Sequence, residues 1–150
     1  PGYFTVSKDQ VTGGTFFIDR LSTLSLASFS PAVTTTFSDT FANPSNLANQ
    51  TGTQVAGGAL TLTNEGLSGS ARSVSIEPSY LKGWGILSAT LSTPAGTTAK
   101  VRVGDAGGTS IPDSILPGNA LGFSSFPVSI ADIPTAQYPT LTLSAELTSN

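Results

Sequence analysis

Apolar and hydroxylated side chains take turns along most of this chain. In residues 98–105, TAKVRVGD, Ala99, Val101 and Val103 fall on one side while Lys100 and Arg102 fall on the other. In 139–149, PTLTLSAELTS, Leu141, Leu143, Ala145 and Leu147 oppose Thr140, Thr142, Ser144 and Glu146. Residues 85–92, GILSATLS, set Leu87, Ala89 and Leu91 against Ser88, Thr90 and Ser92. Shorter versions occur at 59–64 (Leu60, Leu62), 70–78 (Val74, Ile76) and 126–132 (Phe126, Val128, Ile130). A period of two is that of a strand with one face covered, and no stretch sustains the 3.6-residue period of a helix.

Turn formers separate these runs: Gly57-Gly58, Gly66 to Gly69, Pro78, Pro94 to Gly96, Gly107-Gly108, Pro117 to Asn119, Pro134 and Pro139. The spacing predicts eight to ten short strands, more than one flat sheet accommodates well. The expected fold is all-β: a two-sheet antiparallel β-sandwich, jelly-roll-like. Residues 109–125, TSIPDSILPGNALGFSS, form the longest irregular piece, and a long loop in a small domain is a candidate site.

The first thirty residues differ in texture. YFTVS and TFFID read as two strands around the turn VTGG, and LSTLSLASFSP follows. Phe16, Phe17 and Ile18 in a row break strict alternation, as a strand covered on both faces does. The whole of 1–150 is expected to be one sandwich domain, with 31–150 as its core. Residues 1–30 either join that core or pair as a strand extension with a neighbouring copy.

Composition narrows the chemistry. There is no Cys, His or Met, which removes disulfides, thiolate metal sites and the commonest general base. Six basic and nine acidic residues give a net charge of -3. Lys8, Arg20, Arg72, Lys82, Lys100 and Arg102 are scattered, whereas nucleic-acid binding needs clustered cations. Ser and Thr supply 42 of the 150 residues, so polarity comes from hydroxyls rather than charges. No apolar run reaches the ~18 residues of a membrane span, so no membrane insertion is expected. A chain opening at Pro1 rather than Met reads as a processed secreted segment or a piece cut from a longer protein.

Residues 37–64, FSDTFANPSNLANQTGTQVAGGALTLTN, carry an Asp-x-Phe step (Asp39, Phe41), a polar loop from Asn43 to Gln50 and a Gly-Gly-x-Leu-x-Leu strand (Gly57, Gly58, Leu60, Leu62). This stretch resembles the opening of laminin-G or concanavalin-like modules of bacterial surface proteins and glycan-active enzymes. The second half, from GWGILSATLSTPAG to YPTLTLSAELTSN, is similar to galactose-binding-type jelly rolls of bacterial envelope proteins. The resemblance covers about residues 33–150 and lies in pattern rather than in a diagnostic motif. It implies an extracellular, non-catalytic module for adhesion, glycan contact or architecture, often with bound calcium. Other copies of the chain, neighbouring surface subunits or a glycan are then the expected partners.

Calcium takes six to eight oxygens, and the 38–46 loop offers Asp39 and Asn43, with Ser38, Ser45 and Asn46 nearby. In related jelly rolls an acid of the last strand approaches such a loop, which implicates Glu146. The plainer expectation is that Asp39 and Asn43 make Asx-turns and the loop is a corner, with no cofactor required. Asp105 with Asp113 is a second, weaker acid pair. For a glycan, Trp84 is the only Trp, between Gly83 and Gly85, with Tyr80 four residues before it and Tyr138 and Tyr3 as companions. A core ring is the leading expectation for Trp84, and a stacking platform is the alternative.

Catalysis has little to stand on. The nine acids show no recognisable glycosidase pair, a Ser nucleophile lacks a His, and GDAGG has no helix to follow it. Asn49-Gln50-Thr51 fits a glycosylation acceptor, and an intramolecular crosslink would need Lys82 or Lys100 buried beside an acid. The expected role is a structural or adhesive cell-surface module or filament subunit. The alternative is a carbohydrate-binding module.

Overall fold

Hydroxyls and β-branched residues at alternate positions favour extended backbone, and in the computed structural model, which describes residues 2–6, 14–18, 34–63 and 67–150, every strand pairing is antiparallel. Two units are distinguished, Pro1–Thr36 and Phe37–Asn150. The division falls close to where the sequence changes texture.

In the first unit, β1 (Gly2–Val6) pairs antiparallel with β2 (Gly14–Ile18), in register from Gly2 opposite Ile18 to Val6 opposite Gly14. These are the two strands expected around VTGG. The LSTLSLASFSP segment lies outside the described residues, as do the side chains of Tyr3 and of Phe16 to Ile18.

The second unit is built on a four-stranded sheet. Its strands are β3 (Leu47–Thr51), β6 (Ser68–Ser73), β8 (Thr97–Gly104) and β10 (Thr142–Ser149), in the spatial order β3-β6-β10-β8. A single 3-10 turn, Pro44–Asn46, leads into β3. β8 and β10 pair along all eight residues of each, which places Val103 opposite Leu143 and Val101 opposite Ala145. That register puts Ala71, Ala99, Val101 and Val103 on one face and Arg72, Lys100, Arg102 and Glu146 on the other, as the alternation predicts.

Two small two-stranded pairs accompany the sheet. β4 (Thr53–Ala56) and β5 (Ala59–Leu62) are joined by Gly57 and Gly58, with φ of 60° and 76°. Left-handed backbone at both central positions is the two-residue hairpin geometry that Gly-Gly permits. β7 (Ile86–Leu87) pairs with β9 (Val128–Ser129).

The alternation of GILSATLS is only briefly a strand. Beyond Leu87 the backbone pairs with nothing, Ala89 is exposed and Leu91 is half-buried. β8 offers this segment no edge, because both of its edges are already taken. One edge is paired with β10. Along the other, Val101 exchanges both backbone bonds with Phe123 (2.9 and 2.8 Å), and the Asp105 N–H donates to Thr109 O at 2.8 Å. Between them the Asn119 side chain stands in for a strand: its Oδ1 accepts from Val103 N and its Nδ2 donates to Val103 O, both at 2.8 Å.

The irregular 109–125 segment therefore closes a sheet edge and roofs the core. Ile111 and Leu116 are buried with Leu87, Val103, Ile130, Ile133 and Leu141, and Trp84, Phe123, Phe126 and Tyr138 pack around them. Each fully buried aliphatic side chain contributes roughly 1.5–3 kcal/mol relative to exposure. Thr142 sits on the face expected to be hydroxylated and solvated, yet it is buried, and its Oγ1 donates to Asp105 O at 2.9 Å. Among the described residues, no buried side-chain polar atom lacks a partner.

Candidate functional site

A cleft of about 440 Å³ opens between residues 77–81 and 135–140. Its walls are tied at one end where Ile76 and Leu141 exchange backbone bonds, Ile76 N to Leu141 O at 2.8 Å and the reverse at 3.1 Å. They are tied again where the Trp84 indole N–H donates to Tyr138 O at 3.0 Å. Pro134 turns the second wall, its carbonyl accepting from Gln137 N and Tyr138 N. Glu77, Thr135 and Thr140 supply the polar lining, and Pro78, Leu81, Ala136 and Pro139 the apolar lining. None of these residues is basic, so the cleft carries one carboxylate among neutral groups.

The aromatic candidates part company here. Tyr80 is 94% exposed on the turn between the lining residues Pro78 and Leu81. Trp84 and Tyr138 are brought together, as the sequence could not show, but they are half-buried and packed against the core. Glu77 was one acid among nine in the sequence. What singles it out is its place beside Ile76, directly before a proline that starts the cleft wall.

Each of the calcium candidates already has a partner within the fold. Asp39 Oδ1 accepts from Phe41 N at 2.8 Å, and Phe41 is held at a φ of 52°, left-handed backbone that a bulky residue rarely adopts. Asn43 Oδ1 accepts from Ser45 N at 2.9 Å and caps the 3-10 turn. These are the Asx-turn bonds of a corner. Glu146, on the outer face of the sheet, is paired with Arg102, whose Nε also donates to Ala120 O at 3.0 Å. A hollow of about 330 Å³ beside Glu146 is lined by the hydroxyls of Thr51, Ser68, Ser70 and Thr148. Among the described residues, no three acids gather as a metal-holding group.

The two members of the second acid pair each accept backbone N–H groups. Asp105 Oδ1 accepts from Gly107 N and Thr109 N, both at 2.9 Å, and shapes the turn after β8. Asp113 Oδ1 accepts from Ala120 N at 2.7 Å, bracing the 109–125 segment. Arg72 reaches across to donate to Gly107 O at 2.7 Å. Asn49 of the acceptor triplet is exposed on β3. Lys100 is half-buried opposite Glu146, and Lys82 is exposed.

The chain matches no protein-family model, and no curated protein or solved structure matches it. The likeness to laminin-G, concanavalin-like and galactose-binding modules rests on the residue pattern alone.

Proposed function

We propose that this chain is a non-catalytic, extracellular structural or adhesive module of a bacterial cell-surface assembly, its strands forming a two-sheet, jelly-roll-like sandwich. The observation that carries the reading is the asymmetry of the main sheet. The β8 edge is closed by Phe123, Asn119 and Thr109, whereas β3 at the other end pairs, among the described residues, with β6 alone. An open strand edge is a template for another strand. The chain also carries the paired strands β1 and β2 in its first unit, Pro1–Thr36, while the main sheet belongs to the second. A donor in one copy and an acceptor edge in the next make a head-to-tail array.

Size-exclusion chromatography with negative-stain imaging tests this. The full chain is expected as oligomers or filaments, and deletion of residues 1–30 returns it to monomer. A full-length chain that is monomeric at high concentration overturns the assembly.

Tyr80 favours a second reading, a carbohydrate-binding module with Trp84 and Tyr138 near the same site and calcium, if bound, at the corner of Asp39 and Asn43 with Glu146. An aromatic ring almost wholly in water, on the turn between two cleft-lining residues, supports a sugar-stacking role. Under this reading Tyr80→Ala removes retention on a polysaccharide column.

A further inference from the structure

We infer that the cleft between residues 77–81 and 135–140 binds a neutral saccharide, with Glu77 accepting hydrogen bonds from its hydroxyls and Tyr80 covering one of its C–H faces. The inference rests on the carbohydrate-binding reading and moves its centre away from Trp84 and Tyr138. Those two are already engaged in the fold: the Trp84 N–H donates to the Tyr138 backbone O, and both half-buried rings pack against the core.

What remains free is matched to an amphipathic, hydroxyl-bearing ligand. Thr135 and Thr140 each carry a hydroxyl that donates and accepts. Among the described residues Glu77 takes part in no ion pair, so its carboxylate is open to the short, charge-assisted bonds that hydroxyl donors make. Leu141 stands opposite Ile76, and continuing that antiparallel step sets Thr140 beside Glu77, so the two polar lining groups are cross-strand neighbours suited to adjacent hydroxyls of one ligand. Pro78, Leu81, Ala136 and Pro139 give the apolar contact that sugar C–H groups need.

Charge selects the sugar class. The one ionised lining group is negative, and no Lys or Arg lines the cleft to neutralise an acidic sugar. A uronate or sialate would bring a second negative charge against Glu77 with nothing to offset it, whereas a neutral hexose would not. The walls are fixed beforehand by the Ile76–Leu141 and Trp84–Tyr138 bonds, so little ordering is required on binding.

Affinity electrophoresis of the full chain tests the site, using native gels that contain soluble glucan, mannan or galactan, and a parallel gel with polygalacturonate. Migration is expected to slow in at least one neutral polymer and not in polygalacturonate. Glu77→Gln and Tyr80→Ala are each expected to weaken the retention about tenfold or more while leaving the melting curve in place, since both residues are exposed. Retention in polygalacturonate alone overturns the neutral-sugar assignment. Retention abolished by Tyr80→Ala but untouched by Glu77→Gln and Thr140→Val overturns the cleft and leaves the carbohydrate reading standing. No retention in any gel overturns both.

Discussion

Asn119 and Val103 are joined as two neighbouring strand residues would be, except that one partner is a side chain. The Asn119 amide accepts from Val103 N and donates to Val103 O, and it also donates to Ile111 O at 2.7 Å, with Ser110 Oγ at 3.0 Å as a longer contact. Both Asn119 and Val103 are fully buried. An amide has only two N–H groups, so this one is saturated and has a single acceptable orientation.

Asn119→Ala removes all of these bonds at once. Val103 O keeps its bond from Ile111 N, but Val103 N and Ile111 O are left without partners in the core. At about 1–3 kcal/mol for each orphaned group, the expected loss is roughly 3 kcal/mol, measured by urea unfolding at constant m-value. Asn119→Asp is expected to be at least as damaging, because it buries a carboxylate where two carbonyls must be met. A loss under about 1 kcal/mol for either variant contradicts the structural role given to residues 109–125.

Glycines divide just as sharply by what surrounds them. A Cβ at Gly69 would lie 2.5 Å from Gly52 O and 2.7 Å from Gly52 C, backbone that has no room to give. At Gly85 a Cβ would meet nothing within 4 Å. Gly69→Ala is expected to cost about 2–3 kcal/mol, and Gly85→Ala to stay within about 0.5 kcal/mol of the parent, both read from thermal melts. Equal shifts for the two would mean that β3, β4 and β6 do not approach as described.

Trp84 and Tyr80, four residues apart, answer the question that the sequence left open between core ring and platform. Trp84→Phe loses the bond to Tyr138 O but keeps most of the packing, and is expected to cost about 1 kcal/mol. Trp84→Ala is expected to cost about 3 kcal/mol or more. Tyr80→Ala should leave stability within about 0.5 kcal/mol, since its ring touches water almost everywhere. Denaturant titration of the three variants gives the comparison.

Strand faces were legible in the sequence because burial on one side of a sheet imposes a period of two. Ala99 and Val103 follow it, as does the charged series of Lys100, Arg102 and Glu146. The same rule misled at Ala89 and Leu91, since alternation states what a strand could bury and not whether its backbone finds a partner. Residues 109–125 read as a loop for the complementary reason: their edge bonds come from a side-chain amide and single bridges, which leave no periodic trace. Of the candidate site, Tyr80 was visible only as an aromatic four residues before Trp84. Glu77 and Thr140 were not, because their proximity follows from the one-residue bridge of Ile76 to Leu141, across 65 positions of chain.

Asp39 carries the last test, which separates a corner from a calcium site. Its carboxylate holds the Phe41 N–H and thereby a left-handed residue that costs of order 1–3 kcal/mol to maintain. If that is its task, Asp39→Ala lowers stability by about 1 kcal/mol, and Asp39→Asn, which keeps an acceptor oxygen, recovers most of it. Phe41→Gly should relieve the backbone while losing a partly buried ring, so it reports on the balance rather than on the carboxylate. Melts with millimolar calcium and with chelator are expected to coincide for the parent and for Asp39→Asn. A chelator-dependent fall in Tm that vanishes in Asp39→Asn and in Glu146→Gln would mean that the carboxylates hold an ion, because an amide substitutes for a carboxylate in a turn but lacks the charge that a calcium site relies on.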